Sequence, residues 1–137
     1  MSNKPKPITI TYKGRSFGIA VLTAAQLLIG TIHIIFGFLL LASEESIIKT
    51  TAAYDFYTVA FGTLVLVFTL FIWQGKKLGW VGTIVVSVFV SVVDALTVLN
   101  LPSIPGIPKF AAPTEIGYSI IVVVYLLQSR VRKKYLG

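Results

Sequence analysis

The sequence predicts an all-α integral membrane protein, a four-helix bundle with both termini cytoplasmic. Three observations predict it. Apolar side chains make up 55% of the 137 residues and charged ones only 12%, against about 25% charged in a soluble domain. The apolar residues fall in four long runs. Nearly all the basic residues lie at one set of ends of those runs. Intrinsic disorder is excluded because it needs low hydrophobicity. A soluble globule is excluded because too few polar groups remain to cover it.

The chain opens on a basic arm, 1–16, with Lys4, Lys6, Lys13 and Arg15. Within it Ile8-Thr9-Ile10-Thr11-Tyr12 alternates apolar and polar, as a short extended arm or an unstructured tail does. Span 1 is 17–41, free of formal charge, with His33 inside it. A signal peptide has an apolar stretch of about 7–15 residues and a small-residue cleavage site. This run is longer and leads into Ser43-Glu44-Glu45, so it reads as a retained helix. Span 2 is 52–73, capped by Thr50 or Thr51, with Asp55 near its start. Span 3 is 78–101, with Asp94 inside it, ended by Asn100 and Pro102. Span 4 is 113–129, opening on Pro113 with Glu115 close behind. Only 14 residues separate Glu115 from Arg130, fewer than the ~20 a bilayer core needs, so Glu115 enters or nears the hydrocarbon. Spans 2 and 3 are rich in Val, Ile and Thr, but the runs are too long for strands and do not alternate.

Of the twelve Lys and Arg, ten fall in the N-terminal arm, the 2–3 turn (Lys76, Lys77) and the C-terminal tail, 130–137 (Arg130, Arg132, Lys133, Lys134). Only Lys49 and Lys109 lie on the other side. The positive-inside rule then puts both termini in the cytoplasm. Trp73 and Trp80 bracket the inner turn as an aromatic belt does. The outer 3–4 loop, 101–112, holds three of the six prolines with Ile104, Ile107 and Phe110. It is expected on the outer mouth of the bundle, on headgroups, or on a partner.

Thr23, Gln26, Gly30, His33 and Gly37 recur at +3 and +4, one stripe down one face of span 1. Thr83, Ser87, Ser91 and Asp94 form a similar stripe on span 3, and span 2 offers Gly62. Small and polar stripes are what helix contacts use in a membrane. At ~1.5 Å per residue, His33 and Asp94 each stand about 6 Å outward of mid-span, and Asp55 about 12 Å. Glu115 falls at a similar level to His33. All four thus lie in the outer half, one per span. Asp55 and Glu115 open their helices, where the dipole favours a carboxylate. Asp94 sits toward the far end of its helix, where the dipole opposes it. It needs a partner, a proton or water, and His33 is the partner expected. A proton- or metal-binding site built from His33, Asp55, Asp94 and Glu115 is the sharper alternative.

No cysteine is present and only one histidine, which excludes disulfides, thiolate metal sites and cysteine nucleophiles. No phosphate-binding glycine loop, Gly-x-Ser-x-Gly elbow or His-Glu-x-x-His occurs. Neither catalysis nor a cofactor is expected. A net charge of +7 reflects membrane topology here, not nucleic-acid binding.

Two stretches carry a family resemblance. The turn Gly75-Lys76-Lys77-Leu78-Gly79-Trp80 is one. The other is Val124-Tyr125-Leu126-Leu127 followed by Arg130-Val131-Arg132-Lys133-Lys134-Tyr135. In these the chain resembles a loosely defined group of uncharacterised four-span membrane proteins of bacteria and archaea, over spans 2 to 4 but not span 1. The resemblance implies four spans and transfers no catalytic residue. Small multidrug transporters share the size and span number but carry a glutamate in span 1, where this chain has His33.

Two functions compete. The first is a non-catalytic accessory subunit of a larger complex in the cell membrane, such as a respiratory or other oxidoreductase assembly. Its partners are the bilayer and other membrane subunits, with the apolar outer loop and basic tails as docking elements. The second is a small transporter or ion-conducting homo-oligomer that uses the His/carboxylate cluster. The sequence favours the first.

Overall fold

The computed structural model describes residues 11–12, 15–42 and 51–136. Ile8 to Ile10, Lys4, Lys6, Lys13, Ser43-Glu44-Glu45, Lys49 and Thr50 lie outside the described residues. The fold is all-helical: α1 Phe17–Ala42, α2 Ala52–Trp73, α3 Lys77–Val98, α4 Ala112–Leu127 and α5 Ser129–Leu136. A minimal antiparallel pair, β1 Thr11–Tyr12 with β2 Arg15–Ser16, precedes α1. Helix α1 packs on α2, α2 on α3, and α3 on α4. The end holding β1, β2, the α2–α3 turn and α5 is called the terminal end, and the opposite one the loop end.

Three helices, α1 to α3, are long and apolar enough to cross a membrane, and α4 with α5 adds a fourth if the bent pair counts as one. Side-chain placement agrees. Leu28, Phe38, Phe56, Val85 and Ile121 face outward, while Gln26, Thr58, Thr69, Thr83, Ser87 and Asp94 are buried. That is the reverse of a soluble core. It is how helices pack where lipid is the outer solvent.

Helix ends follow from local chemistry. Thr51 caps α2, its Oγ1 accepting from the Tyr54 N–H at 3.2 Å. At the far end Gly75 takes a left-handed φ of 75°. Its N–H donates to the Ile72 carbonyl at 3.0 Å, and that of Lys76 to Phe71 at 2.9 Å. The same pair of bonds closes α3 (Asn100 to Thr97 at 3.2 Å, Leu101 to Leu96 at 2.8 Å), with Asn100 at φ 57°. Both ends are Schellman caps. The left-handed Asn100 therefore stops α3 at Val98, three residues short of the expected limit at 101.

The fourth span differs more. The expected helix 113–129 with a trailing basic tail is instead two helices bent by 69°. Gln128 leaves the helical region with ψ 137°. The cause is tertiary. Val131 and Tyr135, four apart on one face of α5, turn into the apolar cluster of Ile19, Leu22, Ile72, Val122 and Leu126. The Tyr135 hydroxyl donates to the Ile72 carbonyl at 3.0 Å. Trp80 ties the same end together, its Nε1 donating to the Leu126 carbonyl at 2.8 Å.

Of the three places expected for the α3–α4 loop, the described residues agree with the mouth of the bundle itself. Ile107 is buried and Ile104 half-buried, both against Leu40, Tyr54 and Val93. Of Ile104, Ile107 and Phe110 only the last points away, 75% exposed, and Leu101 at the start of the loop is exposed as well. The Thr51 hydroxyl donates to the Pro105 carbonyl at 2.5 Å. Gly106, at φ 91°, lies so close to Thr51 that a Cβ there would stand 2.8 Å from the Thr51 nitrogen. The loop is thus clasped to the start of α2, and two of its three large apolar residues fill this chain's own loop end.

Candidate functional site

The glycines on the α1 and α2 stripes set how closely these helices approach. A Cβ on Gly30 would reach Leu66 and the Gly62 carbonyl, and one on Gly37 would reach Val59 and Asp55. Small residues let backbones meet without side chains between them. On α3, Gly79 and Gly82 meet Phe71 and Phe68 of α2 in the same way. Sequence reasoning missed these two, although their spacing of three residues was the available signal.

The polar members of the stripes have different fates. Gln26 is buried and accepts from the Tyr118 hydroxyl of α4 at 3.0 Å. Ser91 donates to the Ser87 carbonyl of its own helix at 2.9 Å, so it links no second helix through that bond. Ser87 itself is buried beside Gln26 and Thr83, at a small void between the helices. The hydroxyls of Thr23 and Thr83 are buried with no hydrogen-bond partner.

His33 and Glu115 form the ion pair at the loop end. The imidazole Nδ1–H donates to the Ile29 carbonyl one turn back, at 2.7 Å. That bond aims Nε2 at Glu115 Oε1, 3.6 Å away. Phe61 of α2 supports the ring edge-on, at 4.8 Å between centroids. Glu115 stands in the first turn of α4, where unpaired backbone N–H groups favour a carboxylate.

The expected pairing of Asp94 with His33 is therefore corrected: His33 is taken by Glu115. Helix α4 brings its first turn between α1 and α3, so the glutamate meets the imidazole first. Asp94 interacts with Glu115 from the other side. It is completely buried, and neither of its oxygens receives a hydrogen bond. The order across the site is imidazole, carboxyl, carboxyl.

Two spaces meet at this row. An inner cavity of about 10 Å³, room for about one water, is lined by His33, Tyr57, Thr58, Asp94 and Glu115 among others. A wider vestibule of about 200 Å³ at the loop end is lined by Tyr54, Phe110, His33 and Glu115 among others. His33, Tyr54 and Glu115 border both, so they are the wall between Asp94 and the vestibule. Tyr54 and Tyr57 escaped sequence reasoning, because aromatic residues at a span start read equally well as interface anchors.

Asp55 is buried in the first turn of α2 but does not line the cavity that the other three share. Among the described residues no group of three His, Asp or Glu is arranged to hold a metal ion. The four-ligand metal alternative thus fails: Asp55 is set apart, and the remaining three form a row instead of converging on one point. No family model, curated protein or solved structure matches the chain.

Proposed function

We propose that the chain is a multi-pass protein of the cell membrane, a four-helix bundle with cytoplasmic termini. Its function in this reading is that of a small proton-binding transporter or proton-conducting homo-oligomer. The observation that carries this is Asp94, fully buried, without a donor, and set against a second carboxyl. Two carboxylates cannot lie side by side out of water without something positive between them. His33 faces only Glu115. A proton shared between the two carboxyls supplies that charge, and the cavity of about 10 Å³ leaves room for about one water beside it. The vestibule beyond Glu115 supplies access from the loop end, which the basic residues make the outer side. The apolar cluster around Ile72 and Leu126 closes the way to the terminal end. The arrangement is that of an outward-open, inward-sealed site.

Ile104 and Ile107 turn inward and no longer ask for a partner, which weakens the accessory-subunit alternative. Phe110, exposed on the loop rim, still favours it. Both readings meet in one experiment. The chain is purified in mild detergent from its native membrane, and a portion is reconstituted in liposomes holding a pH-sensitive dye. Under an imposed gradient, proton flux should appear and should vanish in Asp94→Asn. Flux equal in that variant and the wild type, or no flux together with stable co-migration of larger cofactor-bearing chains, overturns the transport reading.

A further inference from the structure

A second feature lies at the terminal end, independent of the proton site. Between α1 and α4 runs an apolar groove of about 340 Å³, walled by Phe17, Val21, Ala25, Ile121 and Tyr125 among others. It exists because Gly18 and Ala25 are small, while the rings of Tyr118 and Tyr125 hold the helices apart. A Cβ on Gly18 would already strike Tyr125. Phe17 to Ala25 rises about 12 Å. A single hydrocarbon chain fits.

The groove's terminal end lies at the start of α1 and the last turn of α4, close in sequence to α5. That helix turns by 69° from α4, so it lies near the membrane plane where α4 crosses it. Its two buried residues, Val131 and Tyr135, fix it to the protein. Arg130, Arg132, Lys133 and Lys134 are exposed. Four cations are thus carried by a helix whose buried residues pack in one cluster with Leu22 and Val122, which also line the groove. We propose that this is a binding site for one anionic phospholipid, with an acyl chain in the α1–α4 groove and the headgroup phosphate held by exposed basic side chains of α5. A basic surface beside membrane helices selects acidic over zwitterionic headgroups, by electrostatic attraction that grows with each Lys or Arg.

The test is native mass spectrometry of the purified chain, titrated with phosphatidylglycerol or with phosphatidylcholine of the same acyl chains. The wild type should retain one phosphatidylglycerol per chain, at least about tenfold tighter than phosphatidylcholine. Replacing Arg130, Arg132, Lys133 and Lys134 together by Gln should abolish that preference. Ala25→Phe, which fills the groove far from any charge, should weaken both lipids alike. Circular dichroism checks that each variant keeps its helices. Equal retention of the two lipids by the wild type overturns the proposal. So does an undiminished phosphatidylglycerol complex in either variant, or a dimer without lipid as the groove's occupant.

Discussion

A methyl group placed on Gly62 would stand 2.7 Å from the carbonyl oxygen of Gly30. The two glycines thus mark a point where α1 and α2 touch backbone to backbone, about a turn away from His33 along α1. Gly62→Ala should push the helices apart and cost about 1–3 kcal/mol, as overpacking does. Gly117 faces open space, so Gly117→Ala should be neutral or stabilise by up to about 1 kcal/mol. Unfolding in detergent, followed by circular dichroism, separates the two. Equal effects would refute this account of the α1–α2 contact.

Asp94→Asn should make the protein more stable while removing proton uptake. The amide keeps the size of the side chain, carries no charge, and offers an N–H to Glu115. At high pH, where the wild type must hold two buried carboxylates without a donor, the amide should gain on the order of 1 kcal/mol or more. Glu115→Gln should gain less, because it also loses the His33 contact. A destabilised Asp94→Asn at high pH would show that the ionised form is satisfied by something else. Stability gained at the expense of activity is the usual mark of a working site.

The chain has no cysteine, so single cysteines report topology without background. Leu101→Cys, on the loop between α3 and α4, should react with an impermeant thiol reagent on intact cells. Gln74→Cys, on the α2–α3 turn, should react only after permeabilisation. The reverse pattern would invert the protein, and labelling of both on intact cells would indicate mixed orientation.

Three left-handed residues give graded expectations. Gly75 meets nothing within 4 Å, so Gly75→Ala should cost only the backbone strain, about 1–2 kcal/mol. Gly106→Ala should cost more, because the new Cβ also crowds Thr51. It should loosen the clasp and speed hydrogen exchange at the start of α2. Asn100→Gly should stay within about 0.5 kcal/mol of the wild type. Thermal melts of the three variants give the order, and a harmless Gly106→Ala would remove the clasp from the account.

Gln26 and Tyr118 join α1 to α4 by one side-chain hydrogen bond at 3.0 Å. A double-mutant cycle with Gln26→Leu and Tyr118→Phe should return a coupling of about 0.6 kcal/mol, the average for such bonds between membrane helices. A coupling indistinguishable from zero would mean that α1 and α4 are held together by packing alone.

Much of this architecture is legible in the residues. Long apolar runs mark the helices, and Gly75, Asn100 and Thr51 mark their ends, because caps depend on local backbone chemistry. Depth is legible too, since the rise per residue is fixed: His33, Asp94 and Glu115 share a level that simple counting finds. Rotation is not legible. Whether His33 meets Asp94 or Glu115 depends on how α4 turns and leans between its neighbours, which spacing along one chain does not specify. The bend into α5 was hidden because only Val131 and Tyr135 break a run of charges. The inward turn of Ile104 and Ile107 depends on contacts distant in sequence, among them the Thr51 hydroxyl on the Pro105 carbonyl, across 54 positions.

The adjacency of Asp94 and Glu115 also governs how the protein is made. A ribosome-bound chain delivers α3 to the bilayer before α4, and α3 alone would carry an unaccompanied acid into hydrocarbon. At a helix centre an acid subtracts about 2.5–3.5 kcal/mol from an insertion that the apolar residues of α3 otherwise favour. The 16 residues of α4 bring a weak signal of their own, with a glutamate in the first turn. Entering as one hairpin, the two helices shield each other's carboxyl from lipid. Insertion of the second half is therefore favoured as a hairpin of α3 with α4, in which Glu115 accompanies Asp94.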